Sequence, residues 1–313
     1  MKKTATTPIL FIIFNRPETT SAVFNKIKEL KPKDLFIAAD GPRKDKIGEF
    51  ELCEATRKIT ESIDWKCNVR RLYRKNNLGC GKAVSGAINW FFKNVDCGII
   101  LEDDCLPNDS FYSFASNLLD KYKDDVEIMH ISGNNFLNNQ MHLDNVYYVS
   151  SYPHVWGWAT WKRAWDRYDY EIRDWKNKSL CYKIKSVKGD IWNKLFWVSK
   201  FDSVNYKVTD TWDYQWVFCV MKYNGLSLFS GTNLVSNIGF GVKSTHTSGN
   251  NNRYSNLKTS SLLNKISLSS KRKGQIDLIE EREVFRTKSL TTLIHFAYFS
   301  IFCMLYNKLY KKI

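Results

Sequence analysis

The chain has 313 residues, 43% hydrophobic and 15% aromatic, with 11 Trp, 16 Tyr and 19 Phe; so much apolar side chain excludes a disordered protein and is enough to bury a sizeable core. A formal charge of +15 and a pI near 9.3 turn the surface toward anionic partners: nucleic acid, anionic lipid or phosphorylated small molecules. The eight cysteines form no CxxC pair and no regular framework, which excludes an obvious zinc site or disulfide scaffold and fits a reducing cytosol.

At the N-terminus, Lys2-Lys3 and the apolar run Pro8 to Phe14 superficially resemble a signal peptide. No small-residue cleavage site follows, and Asn15-Arg16-Pro17-Glu18 leads into a helical pattern, so the run reads as a buried first strand without a membrane anchor. A helix over Thr19 to Leu30, a strand over Leu35 to Ala39 and a helical stretch through Ile59 follow. A third strand, Val69 to Tyr73, passes through Asn76-Asn77-Leu78-Gly79-Cys80-Gly81 into a helix ending near Phe92, and Gly98 to Leu101 is a fourth strand. This βαβα rhythm predicts an α/β fold whose first four strands are buried and parallel.

Phe111, Phe114, Ala115, Leu118, Leu119 and Tyr122 recur at helical spacing, and Ile128 to Ser132 is a fifth strand. From Val146 the pattern is irregular and rich in Trp, with a helix expected over Asp213 to Tyr223 and a strand over Leu226 to Phe229. Residues Gly231 to Asn256 have the composition of a loop, either a flap over a site or plain surface. Lys271 to Lys288 is charged and helix-prone. The apolar segment Leu293 to Tyr306, interrupted by His295 and Ser300, is too short for a membrane span. Its flanking lysines favour a helix lying in a membrane interface, with packing on the main domain as the alternative.

Three adjacent acids, Glu102-Asp103-Asp104, sit at the C-terminal end of the fourth strand, where open α/β sheets bind ligands. Their mutual repulsion is relieved by a hard divalent cation bridging them to a diphosphate; a solvated turn is the plainer explanation. Asp40-Gly41-Pro42 ends the second strand and Asn15-Arg16-Pro17 the first, so three strand ends point to one crevice. There Asp40 suits a base or ribose and Arg16 a phosphate, while Asp40 also fits a turn before Gly-Pro. Asn77 to Lys82 resembles a phosphate-binding glycine turn but matches neither GxxxxGK[ST] nor GxGxxG, and helix capping explains both glycines. Asp213, between Trp212 and Tyr214, and Asp210 just upstream are acids suited either to proton abstraction beside a carbohydrate or to helix capping. His246, in the Gly/Asn-rich loop, suits a metal or phosphate contact or is simply exposed.

In this order, Phe14-Asn15-Arg16-Pro17, Ala39-Asp40-Gly41, Ile100-Leu101-Glu102-Asp103-Asp104, Ser132-Gly133-Asn134-Asn135, Trp156-Gly157-Trp158 and Trp212-Asp213-Tyr214-Gln215-Trp216 resemble the GT-A glycosyltransferases. Within them the chain resembles the group related to eukaryotic N-acetylglucosaminyltransferase I, over roughly Pro8 to Gly241. The resemblance implies a Rossmann-like, mostly parallel sheet flanked by helices, with a GT-A catalytic domain over 1–256. Its nucleotide-sugar half ends near 135 and an acceptor half covers 136–256; residues 257–313 form a charged linker and a C-terminal amphipathic helix. It implies an inverting hexosyltransferase with a UDP-sugar donor, such as a UDP-N-acetylhexosamine, and Mn2+ or Mg2+ as cofactor. The resemblance implies that Arg16, Asp40, Glu102 and Asp103 bind the nucleotide sugar and Asp104 the metal; to these the residues themselves add Asn77 and Lys82 as nucleotide-sugar contacts and His246 as a metal contact. Asp213 is the base, with Asp210 as the alternative, because the family carries a second acid where this chain has Tyr214. By analogy the acceptor is a surface glycan or a lipid-linked glycan, in bacterial polysaccharide or lipopolysaccharide synthesis, with the enzyme cytoplasmic and peripheral on the inner membrane face. Two other classes compete: a basic nucleic-acid-binding protein, for which no motif is present, and a non-catalytic carbohydrate-binding or scaffold protein that retains the fold.

Overall fold

Short uninterrupted apolar runs bounded by turn residues suit strands covered on both sides, and the runs within Ile9–Ile13 and Asp34–Ala39 form such strands. The computed structural model describes residues 6–137, 145–240, 254–262, 266–271, 273–285, 294, 298, 299, 301 and 302. β1 (Ile9–Ile13), α1 (Pro17–Leu30), β2 (Asp34–Ala39), α2 (Glu49–Ile59), β3 (Asn68–Tyr73), α3 (Cys80–Phe92) and β4 (Cys97–Glu102) build the first half. Then come β5 (Cys105–Pro107), α4 (Asp109–Lys121), β6 (Ile128–Ser132), β7 (Val146–Ser150), β8 (Trp158–Trp161) and α5 (Lys162–Trp165). α6 (Leu180–Ser186), α7 (Ile191–Asn205), α8 (Asp213–Lys222), β9 (Leu226–Ser230), β10 (Val235–Asn237), β11 (Ser267–Leu268) and α9 (Lys273–Glu283) complete the described chain.

The result is an α/β architecture around a large, mostly parallel mixed sheet flanked by helices, compatible with a Rossmann-like fold. Its strand order is β11-β7-β9-β6-β8-β4-β1-β2-β3. β4, β1, β2 and β3 run parallel, whereas β8 is antiparallel to both β4 and β6. Alternation along β1 feeds two cores: Ile9, Phe11 and Ile13 pack with α1 and α4, while Leu10 and Ile12 pack with α3, Trp158 and α8. α1 starts on Pro17, whose fixed φ and missing N–H suit a first turn, and buries Thr20, Val23, Phe24 and Ile27 at helical spacing. α4 is capped by Asn108, whose side chain accepts from the N–H groups of Ser110 and Phe111.

Two expectations are corrected. β3 is parallel but not buried; it is the sheet edge, and its exposed Arg70 and Arg71 blunt an edge that would otherwise recruit another strand. The described part of the chain beyond 256, up to residue 285, is no separate tail either. β11 pairs with β7, and α9 buries Ile276 and Glu280 against the sheet, to 0% and 1% exposure. Glu280 takes hydrogen bonds from Ser150 and from the His154 ring, and Asp277 binds the Ser151 N–H and hydroxyl. These paired polar groups let a charged helix sit on a buried surface.

Candidate active site

The C-terminal ends of β1 to β4 open into one cavity of about 680 Å³, closed on the far side by Trp156 and by the residues leading into α8. Parallel strands aim successive loops to the same edge, so Arg16, Asp40, Arg74 and the Glu102-Asp103-Asp104 triplet share it without being close in sequence.

At the β4 end the carboxylates crowd. The Phe14 N–H donates to Asp103 at 3.1 Å, and Arg16 Nη1 lies 2.8 Å from Asp104 Oδ2 and 3.8 Å from Asp103 Oδ1. Burial, then the neighbouring Asp104, pushes the Asp103 carboxyl up to about 7. Burial and the charges of Asp104, Asp103 and Asp213 push Glu102 well above the ordinary carboxylate range. For Arg16, burial opposes the charge, but Asp103 and Asp104 outweigh it and hold the guanidinium above its usual value. Asp104 is wedged against Gly239: a Cβ there would fall 2.3 Å from Asp104 Oδ2, so only glycine permits this approach.

The β2 end is tied to the loop after β3. Both Asp40 oxygens accept from the Leu78 N–H, at 3.2 and 2.9 Å, and the Asn77 side-chain amide donates to the Gly41 carbonyl at 2.9 Å. Burial raises the Asp40 pKa and these backbone bonds partly reverse it. Gly79, at φ 81°, turns this loop into α3. Arg43 is fully engaged by Glu49, which also accepts from Asn15 at 2.9 Å.

On the opposite wall, Asp213 opens α8 and accepts from the Tyr214 N–H at 2.9 Å and from the Thr211 hydroxyl. Asp210 is committed elsewhere: its Oδ1 accepts from the Gly81 N–H at 3.0 Å, in the first turn of α3. Trp212 lines the cavity, but Trp216 does not; it is fully buried against Trp158 and donates from Nε1 to His130 Nδ1. Both Trp residues nearest Asp213 in sequence are thus core side chains, Trp212 keeping only 3% exposure where it meets the cavity.

No protein-family model and no curated protein matches the chain. What the cavity can do follows from its own residues.

Of the residues expected to act together, Arg16, Asp40, Asn77, Glu102, Asp103, Asp104, Asp210 and Asp213 all line the cavity. Lys82 is exposed on α3 and is not among the lining residues. His246 lies outside the described residues. Trp156, part of the motif Trp156-Gly157-Trp158, is a wall residue, whereas Arg43 and Arg74 went unread as such; Arg74 was within reach, being the residue directly after β3, just as Asp40 directly follows β2. Among the described residues, no three His, Cys, Asp or Glu side chains are grouped to hold a metal ion by themselves. The acidic cluster is nevertheless a hard-oxygen donor set, and a divalent cation there would favour its ionised form, which suits Mn2+ or Mg2+ held by one carboxylate plus ligand phosphates.

Proposed function

We propose that the protein is a metal-dependent, inverting glycosyltransferase of GT-A type that uses a UDP-sugar, such as a UDP-N-acetylhexosamine. The observation that carries the reading is that Asp104, at the end of β4, and Asp213, at the start of α8, line one nucleotide-sized cavity together with Arg16 and Asp40. Such a cavity supports transfer because leaving-group stabilisation and proton abstraction need separate acids on opposite sides of the reacting carbon.

In this mechanism Asp213 takes the proton of the acceptor hydroxyl as its oxygen bonds to the anomeric carbon, and the bond from that carbon to the diphosphate oxygen breaks. Asp213 is preferred to Asp210, whose carboxylate caps α3. Asp104 would hold the cation, which would neutralise charge on the diphosphate; Glu102 and Asp103 shape the carboxylate cluster, and Arg16, paired with Asp104 in the ligand-free site, would be available to phosphate once the cation takes its place. The acceptor enters past Trp156, whose ring packs edge-on against Phe240 at 5.5 Å, an aromatic wall suited to a sugar face.

A glycan or lipid-linked acceptor and a peripheral position on the inner face of the cytoplasmic membrane belong to the same proposal. Most of Leu293 to Tyr306 lies outside the described residues; within it Ile294, Tyr298, Ile301 and Phe302 are exposed. No helix among the described residues is long and apolar enough to cross a membrane. The test is a screen of UDP-, GDP- and CMP-linked sugars for hydrolysis with Mn2+, Mg2+ or chelator. Metal-dependent release of UDP supports the reading, and no turnover of any donor under any condition removes it.

A further inference from the structure

Arg16, Arg43 and Arg74, one from each of three successive strand ends, reach the cavity in unequal states. Arg16 is paired with Asp104 and Arg43 with Glu49. The Arg74 guanidinium makes no hydrogen bond or ion pair with any described residue, although its backbone is pinned on both sides. Its N–H donates to the Ala39 carbonyl at 2.9 Å, and its carbonyl accepts from Arg57 Nη2 at 2.7 Å. The same Arg57 nitrogen donates to the Asp40 carbonyl at 3.1 Å, so Arg57 clamps Asp40 and Arg74 together. The Arg74 side chain lies along α3, so close to Gly86 that a Cβ there would come 3.0 Å from Nη2. Burial depresses its pKa, and the charge of Asp40 only partly compensates. A half-desolvated guanidinium without acceptors is costly, and a ligand oxygen removes the cost.

The strand order says which part of a ligand arrives there. From Asp104 through Arg16 and Asp40 to Arg74 the site steps across β4, β1, β2 and β3. At about 4.8 Å per strand this is roughly 14 Å, the reach of a nucleoside diphosphate from its phosphates across the ribose to the base. Asp40 and Arg74 each follow a residue of the register pair Ala39–Tyr73, so an acceptor and a donor stand side by side at the base end.

Resting on the nucleotide-sugar reading above, we infer that Arg74 selects the nucleobase, donating to a ring carbonyl oxygen and thereby favouring uracil over cytosine. Guanidinium has donors only, so it pairs with the uracil 4-carbonyl, whereas the cytosine 4-amino group opposes it with another donor and leaves both desolvated. The Asp40 carboxylate, with about four acceptor positions, retains capacity for the adjacent ring N–H beyond its bonds to Leu78.

The test is calorimetric titration of the full-length protein with UDP and CDP in the presence of Mn2+, for wild type, Arg74→Met and Arg74→Lys, with thermal melting as a check on folding. Wild type is expected to bind UDP at least about tenfold more tightly than CDP, and Arg74→Met to lose about 10- to 100-fold for UDP while CDP stays within about twofold. Arg74→Lys, which keeps the charge and one donor, falls between them and stands in should the Met variant not fold. Equal weakening of both nucleotides, or an unchanged UDP/CDP ratio in the variants, overturns the role of Arg74 while leaving the glycosyltransferase reading intact. A folded wild type that binds neither nucleotide overturns both.

Discussion

Asp210 and Asp213 are three residues apart and line the same cavity, yet their hydrogen bonds separate them: Asp210 accepts from the Gly81 N–H at the start of α3, whereas Asp213 accepts from its own neighbours Thr211 and Tyr214. Asp213→Asn is expected to lower kcat by about 10²- to 10⁴-fold, the usual worth of a general base, with UDP affinity unchanged by calorimetry. Asp210→Ala is expected instead to cost about 1 kcal/mol in urea unfolding, the worth of a lost helix cap. Near-normal turnover of the Asp213 variant moves the base elsewhere. At this scale the acidic triplet was legible because it ends an apolar run, where a strand must stop at the ligand edge of a sheet. Lys82 misled because its neighbourhood looked like a phosphate loop, while the phase of α3 buries Ala83, Val84, Ala87 and Ile88 and turns Lys82 outward. Arg74 carries no motif; its one signal is its place directly after β3, and strand register then sets it beside Asp40.

Among the elements, those buried between helices on both faces were readable as continuous apolar runs, which is why β1, β2 and β4 match expectation. β7 and β8 were not, because aromatic and hydroxyl side chains in Val146–Ser150 and Trp158–Trp161 give no clean alternation. Much of the Trp-rich stretch builds a core around His130 on β6. Trp216 Nε1–H donates to His130 Nδ1, so the ring proton is on Nε2 and is donated to the His154 carbonyl at 3.0 Å. Burial lowers the His130 pKa from 6.5 to about 3. Between these values the unfolded chain binds a proton that the native state refuses, so this group's contribution is complete above 6.5 and is lost as pH falls toward 3. His130→Gln removes the effect: urea unfolding should show its destabilisation relative to wild type shrinking by about 2 kcal/mol between pH 7 and pH 5. A pH-independent difference contradicts a neutral, buried His130.

For the whole molecule, the composition shift after 256 suggested an appendage, because a charged helix such as α9 gives no hint of what it covers. Its buried face consists of Ile276 and Glu280, and Glu280 reads as surface until Ser150 and His154 are known to receive it. Deleting residues 257–313 should therefore lower the melting temperature or leave the protein insoluble, whereas deleting 289–313 should leave it unchanged. The shorter deletion should also release the protein from vesicles containing anionic lipid, as sedimentation will report; undiminished binding refutes the membrane role of that segment. The proposed transfer depends on Asp104 as the point where a cation would meet the donor. The most direct measurement is UDP release from a UDP-sugar by wild type and Asp104→Ala, with Mn2+ and with chelator. The expected result is release by wild type only when metal is present, and a loss of at least about 100-fold in a variant with wild-type melting behaviour. Metal-independent release, or wild-type activity in Asp104→Ala, would contradict it.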